Sequence, residues 1–265
     1  MMGIIKIVLL ASACLAVAAA SRVLGRRPGG ISRIAGGSVA NIEDYPYTVA
    51  VHYDGMFMCG GAIISEKWFL TAARCIGEQL KERFTAYVGS SKKYANGTDH
   101  PVSQIIFHPK YHMYGQYQNY PVYDLAVVRV KKSFVFSEKI QPVKLPTPNQ
   151  VFSIGSLANL TGWGDVNATM TEVYVMDLRA VSLPLMSRAA CEAVYGEGTV
   201  TRSMLCAGYE DGGKTACDDD IGGPLVADDV LVGILSWGVG CGGKYPDVFT
   251  DLTFLRDWIL TRTGV

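Results

Sequence analysis

From Ile34 onward the chain alternates short apolar runs, rich in β-branched and aromatic residues, with clusters of turn-forming residues. The runs "YTVAVHY" (47–53), "GGAIIS" (60–65), "KWFLTAA" (67–73), "LAVVRV" (125–130), "AVSLPL" (180–185), "PLVADD" (224–229), "LVGILSW" (231–237) and "PDVFTDL" (246–252) each have the length of a single strand. Many short strands with little helical periodicity describe an all-β barrel or sandwich. The exception closes the chain, where Phe254, Leu255, Trp258 and Ile259 recur at the spacing of one helix face. "KIQPVKLPTPNQ" (139–150), with three prolines, reads as the linker between two halves, and no internal repeat is visible.

Ahead of these runs stands "MMGIIKIVLLASACLAVAAAS", with an early Lys6, an apolar stretch and a small-residue end. This is the layout of a secretory signal peptide, residues 1–20, cleaved near Ala20. The uncharged stretch from Ile7 to Ala20 covers 14 residues, against the roughly 20 that a bilayer-spanning helix needs. Residues 21–33, basic and glycine-rich, read as a propeptide ending at Arg33. A secreted, extracellular protein is expected, with no membrane partner.

Export changes what the cysteines and the charge mean. Of 7 cysteines, Cys14 falls in the leader and six remain: Cys59, Cys75, Cys191, Cys206, Cys217 and Cys241. An even set in an oxidising compartment reads as three disulfides, with the pairing left open by spacing alone. The whole chain balances 24 basic against 24 acidic residues. Residues 1–33 hold five of the basic ones (Lys6, Arg22, Arg26, Arg27, Arg33) and no acid, so a chain from Ile34 carries 19 against 24. That acidic balance argues against nucleic acid and anionic membranes as partners.

Five segments in order then carry a family pattern: "RIAGG" (33–37), "CGGAIISEKWFLTAARC" (59–75), "YDLAVVRV" (123–130), "CDDDIGGPL" (217–225) and "GILSWGVGCGGKYPDVFT" (233–250). Together they resemble the activation, histidine, aspartate, serine and pocket segments of trypsin-like serine proteases, across essentially the whole chain after Arg33. The resemblance implies two six-stranded antiparallel Greek-key barrels with a C-terminal helix, one over about 34–145 and the other over about 146–265. It implies the disulfides Cys59–Cys75, Cys191–Cys206 and Cys217–Cys241. It also implies a site in the cleft between the barrels.

Carried over residue by residue, the family's catalytic triad falls on Arg74 (histidine position), Asp124 (aspartate) and Ile221 (serine). The chemistry needs a hydroxyl nucleophile, an imidazole base and an orienting carboxylate. A guanidinium stays protonated near neutrality and an isoleucine has no nucleophilic atom. Asp219 takes the oxyanion-hole glycine position, Thr215 that of the trypsin pocket aspartate, and Asp247 that of a pocket-lining glycine beside Gly238. On this reading the chain is not an enzyme, and Arg74 forms an ion pair with Asp124. The activation residues Arg33, Ile34 and Asp220 are kept, so a freed Ile34 amino group is expected to pair with Asp220.

The pattern of substitutions resembles the inactivated protease paralogues of parasitic mites (the scabies mite type, related to mite trypsin-like allergens). That resemblance implies interference with host defence, notably complement, by protein–protein contact outside the old cleft, and a monomer is expected. The alternative is a regulatory homologue that docks on an active protease or its substrate.

Other motifs are bland. Gly238, Gly240 and Gly243 match G-x-G-x-x-G with no helix to follow. His108 and His112 read as a surface loop, and neither Asp218–Asp220 nor the stretch "FTAYVGSSKKYANGTDH" (84–100) is expected to hold a metal, so no cofactor is expected. Sequons stand at Asn96, Asn159 and Asn167, with Asn159 leading into a buried strand. The tyrosine-rich run from Tyr111 to Tyr123 is either a binding surface or a loop packing its rings on the barrel.

Overall fold

The computed structural model describes residues 36–114, 120–164, 176–217 and 219–265. The leader, the propeptide, Arg33, Ile34, Asn167, Asp218 and the middle of the tyrosine run lie outside them.

Six strands form a closed antiparallel barrel: β2 (Thr48–Tyr53), β3 (Met56–Ile63), β4 (Trp68–Thr71), β5 (Phe84–Val88), β6 (Thr98–Phe107) and β7 (Ala126–Val130). They neighbour one another in the order β2-β3-β4-β7-β6-β5. Six more form the second barrel: β8 (Leu157–Gly162), β9 (Arg179–Met186), β10 (Met204–Ala207), β11 (Pro224–Ala227), β12 (Val230–Trp237) and β13 (Asp247–Asp251). Their order is β9-β10-β13-β12-β11-β8, closed by pairing of β8 with β9. In both barrels the third strand in sequence lies beside the sixth, so the two share one connectivity although no repeat shows in the sequence. A short strand of two residues, β1 (Ser38–Val39), adds to the outside of β9.

The strands follow the apolar runs because closure buries them on the inner face and often on both. β7 is buried at every position but Arg129, lying between β4 and β6. Val49, Phe69, Leu70, Phe84 and Val127 fill the first barrel, and Leu160, Leu183, Leu225, Val232 and Phe249 the second. At roughly 1.5–3 kcal/mol per fully buried side chain, these layers dominate the stability.

Among the described residues three α-helices complete the fold, α1 (Ala73–Ile76), α2 (Arg188–Tyr195) and α3 (Leu252–Thr263), with one 3-10 turn at Lys81–Arg83. Asp251 caps α3, its Oδ1 accepting from the N–H groups of Thr253 and Phe254, and Gly264 ends it at φ 74°. Leu252, Leu255 and Ile259 are its buried face, with Phe254 and Trp258 partly buried beside them. They pack with first-barrel residues, so the helix that follows the second barrel returns to the first. Disulfides join Cys59 to Cys75, Cys191 to Cys206 and Cys217 to Cys241. They tie β3 to α1, α2 to β10, and the two loops that flank the cleft.

Candidate functional site

The barrels meet through buried polar contacts. Thr48 and Thr161 share a hydroxyl hydrogen bond of 3.0 Å, and the Gly60 N–H donates to the Ile221 carbonyl at 2.8 Å. At this junction lies a cleft of about 390 Å³ whose walls include Arg74, Asp219, Ile221, Trp237, Gly238 and Asp247. Its described lining offers carboxylates, one guanidinium and apolar surface.

Asp124 is 1% exposed, just ahead of β7. Its Oδ1 accepts from the Arg74 backbone N–H at 2.8 Å and its Oδ2 from the Ser236 hydroxyl at 2.7 Å. Burial pushes its pKa up to about 6, with the hydrogen bonds from Ser236 and Arg74 pulling the other way. The expected Arg74–Asp124 ion pair is corrected: among the described residues no guanidinium nitrogen lies within 4.0 Å of that carboxylate. Arg74 reaches across the junction instead and donates from Nη1 to the Ser236 carbonyl at 3.0 Å. The reason is local, since the single turn of α1 aims the Arg74 N–H at Asp124 and swings the long side chain past it. Arg74→Ala is therefore expected to cost about 1 kcal/mol, the worth of one hydrogen bond, rather than the 3–5 kcal/mol of a broken buried ion pair. Thermal melts separate the two outcomes.

The loop 217–223 is held from beneath. Asp220 is fully buried and accepts from Gly164 N–H at 2.7 Å and Cys217 N–H at 3.0 Å. Burial pushes its pKa up to about 7, with neighbouring Asp219 adding to the rise. Ile221 is partly buried and packs against the cores of both barrels. Asp219 is exposed, at φ 70°, on the cleft rim. Thr215 is 1% exposed and its hydroxyl oxygen accepts from the Gly242 N–H at 2.7 Å, so it braces the pocket loops. Asp247 is 2% exposed, its Oδ2 accepting from the Ala216 N–H at 2.6 Å, and burial pushes its pKa up to about 7.

Two buried histidines stand out in the fold. His108 is buried rather than on a surface loop: its ring stacks on Tyr123 at 4.8 Å and meets Trp258 at 4.9 Å. His52, on β2, carries no signal in the sequence because it sits inside a regular apolar run. It is 4% exposed, stacked on Tyr87 at 5.2 Å, with Phe57 and Tyr94 around it, and its Nε2 finds no hydrogen-bond partner among the described residues. Of the tyrosine-rich run, Tyr120 stacks on Trp237 at 3.9 Å and Tyr123 on His108, while Tyr114 is exposed. Among the described residues no group of three metal-ligating side chains occurs.

The trypsin family pattern matches residues 34–259, which spans both barrels, the junction and most of α3. The chain belongs to the trypsin family. It is 34% identical to trypsin 5G1 of Aedes aegypti over 236 residues, 88% of this chain and 86% of that one. It is 35% identical to a trypsin of Phaedon cochleariae, over 88% of this chain and 89% of the other. A vitellin-degrading protease of Bombyx mori matches at 34% over 88% of this chain and 86% of its own.

These relatives correct the expectation that the chain is not an enzyme. They are named as trypsins and as a protease, and the family's domain is matched almost throughout. This trypsin-family member stands with the trypsin-like serine proteases. Among its described residues no helix is long and apolar enough to cross a membrane.

Proposed function

We propose that the chain is a secreted trypsin-family protein that acts on other proteins by holding a basic segment of them in the cleft. Host-defence or cascade proteins, complement components among them, are the proposed partners, and a monomer the proposed working unit. The observation that carries this reading is Asp247. Its carboxylate is buried in the cleft wall, and no Lys, Arg or His nitrogen lies within 4.0 Å among the described residues. A Cβ added at Gly238 would stand 3.0 Å from its Oδ1, so the glycine keeps the approach open. A buried carboxylate without a counter-charge is costly, and an incoming lysine or arginine would relieve it with a charge-assisted hydrogen bond. Asp219 adds a second acid on the same cleft.

Arg74 and Ile221 line the same cleft. Three disulfides suit the oxidising compartments into which secreted proteins fold. Cleavage after Arg33, with the Ile34 amino group pairing with Asp220, belongs to the same proposal, because fully buried Asp220 is the second carboxylate in need of a cation.

The test is calorimetry with a short arginine-containing peptide and its citrulline counterpart, on the protein and on Asp247→Asn. The arginine peptide is expected to bind more tightly, and Asp247→Asn to weaken it about 100-fold while leaving the citrulline peptide unchanged. Equal binding of both peptides would sink the reading. Immobilised folded protein exposed to host serum tests the partner class: a complement component retained in stoichiometric amount supports it, and an empty column up to micromolar concentrations removes it.

A further inference from the structure

Two of the three sequons, Asn96 and Asn159, lie among the described residues, alike in sequence and unlike in the fold. Asn96 lies in the loop between β5 and β6, exposed and at φ 66°, a left-handed conformation that asparagine tolerates better than most residues. The loop is tied down on either side of it. The Ser90 hydroxyl donates to the Ala95 carbonyl at 2.5 Å and accepts from the Lys92 N–H at 2.9 Å. The Gly97 N–H donates to the Tyr87 hydroxyl at 2.6 Å, and a side chain at Gly97 would collide with the Tyr87 ring. Asn96 itself makes no hydrogen bond among the described residues, and Thr98, the sequon's hydroxyl residue, is exposed at the start of β6.

Asn159 is the opposite case. It stands in β8 with strands on both sides, opposite Ser182 of β9 and Val226 of β11. Its Oδ1 accepts from the Ser182 hydroxyl at 2.6 Å, and its sequon threonine, Thr161, is fully buried against Thr48.

We propose that Asn96 carries an N-linked glycan and that Asn159 does not. The modification needs entry to the secretory pathway, so it rests on the secreted reading above. The site has a consequence for partner binding. Asn96 borders a surface depression of about 300 Å³ that also holds Glu43, Lys92, Lys139 and Asp177. Its exposed ion pairs, Lys92–Asp177 at 2.8 Å and Lys139–Glu43 at 3.5 Å, lie where the first sugars would rest. A glycan there covers this polar face, and a protein partner must approach from another side.

The test expresses the full chain in a eukaryotic secretory host, once with residues 1–20 and once with a heterologous leader in their place. Peptide N-glycosidase release in heavy-oxygen water marks each formerly glycosylated asparagine, and peptide mapping reads every site separately. Label at Asn96 with none at Asn159 is the expected result. Asn96→Gln and Thr98→Ala should each remove one glycan from the intact mass, and Thr98→Ser should keep it. Unlabelled Asn96 in protein secreted under the heterologous leader overturns the proposal, and label at Asn159 overturns its second half. Retention inside the cell only with the native leader counts against the secreted reading instead, because protein exported under the heterologous leader still shows whether Asn96 is glycosylated.

Discussion

Uncleaved at Arg33, the chain is expected to melt about 10 °C higher at pH 5 than at pH 7.5. Three carboxylates with a usual value of 3.8 are pushed up by burial: Asp124 to about 6, Asp220 to about 7 and Asp247 to about 7. A carboxyl that holds its proton more tightly in the folded state than in the unfolded one favours folding most at low pH. That advantage is complete below the unfolded value near 4 and is lost as pH rises through the folded value. Histidines work in the other direction. His108 is lowered from 6.5 to about 4, first by burial and then by Lys110 and Arg262, and His52 is lowered by burial. Their contribution is present above 6.5 and lost as pH falls. Between pH 7.5 and 5 the three carboxylates outweigh the histidines, leaving a net gain on the order of 4 kcal/mol. For a chain of this size each kcal/mol moves the melting temperature by about 2–4 °C. Scanning calorimetry at constant ionic strength checks this, and Asp247→Asn should flatten the slope. A melting temperature that falls on acidification over this range would show that the buried carboxylates already have cationic partners in solution.

Gly222→Ala is expected to cost at least about 4 kcal/mol, enough to prevent folding of many domains at physiological temperature. Gly222 follows Ile221 in the cleft loop at φ 83°, a conformation that strains any residue with a Cβ. An added Cβ would also collide with the Gly60 carbonyl and the Thr71 hydroxyl, and stand 3.2 Å from the Cys75 sulfur. Those atoms belong to the first barrel, and the loop is fixed to the second through Gly222 N–H to the Leu235 carbonyl at 2.8 Å. The substitution therefore wedges the two barrels apart. Gly155→Ala is the control, because Gly155 has nearly the same φ, 84°, and nothing within 4 Å of its added Cβ. It should lose only the conformational penalty, about 1–2 kcal/mol. Denaturant unfolding of both variants measures the difference. Equal losses would mean that the barrel junction yields easily, and the cleft would then be a softer site than its packing implies.

Legibility in the sequence follows burial. β7, β9, β11, β12 and β13 are readable because closure hides most of their length and apolar residues dominate their runs. β6 escapes because it alternates exposed polar residues with Pro101 and a bulge between Val102 and Gln104. β10 escapes because four residues carry too little pattern. The helix α3 is legible from its face, and its cap at Asp251 is a local matter too. At the site, the positions Arg74, Asp124, Ile221, Asp219 and Asp247 can be named from the family resemblance, and the fold brings Arg74, Ile221, Asp219 and Asp247 to one cleft. Their contacts cannot be named that way. That Asp124 takes a backbone N–H of Arg74, and that the guanidinium goes to Ser236, depends on residues 50 and 162 positions apart.

The sequence by itself therefore determined the class of fold, the family, the strands with mostly apolar runs and the set of cysteines able to pair. Those properties are written in local period and in the order of motifs, which short stretches carry alone. Only the tertiary structure decided that both barrels share one connectivity and that β1 and α3 cross over to the other half. The same holds for the burial of His108, the uncompensated carboxylate of Asp247 in the cleft wall, and the contrast between an open Asn96 and a tied Asn159. Each of these depends on which distant side chain or backbone group arrives next to a residue. Distance, burial and the loss of water at that meeting set its charge and its partners, and no local pattern encodes them.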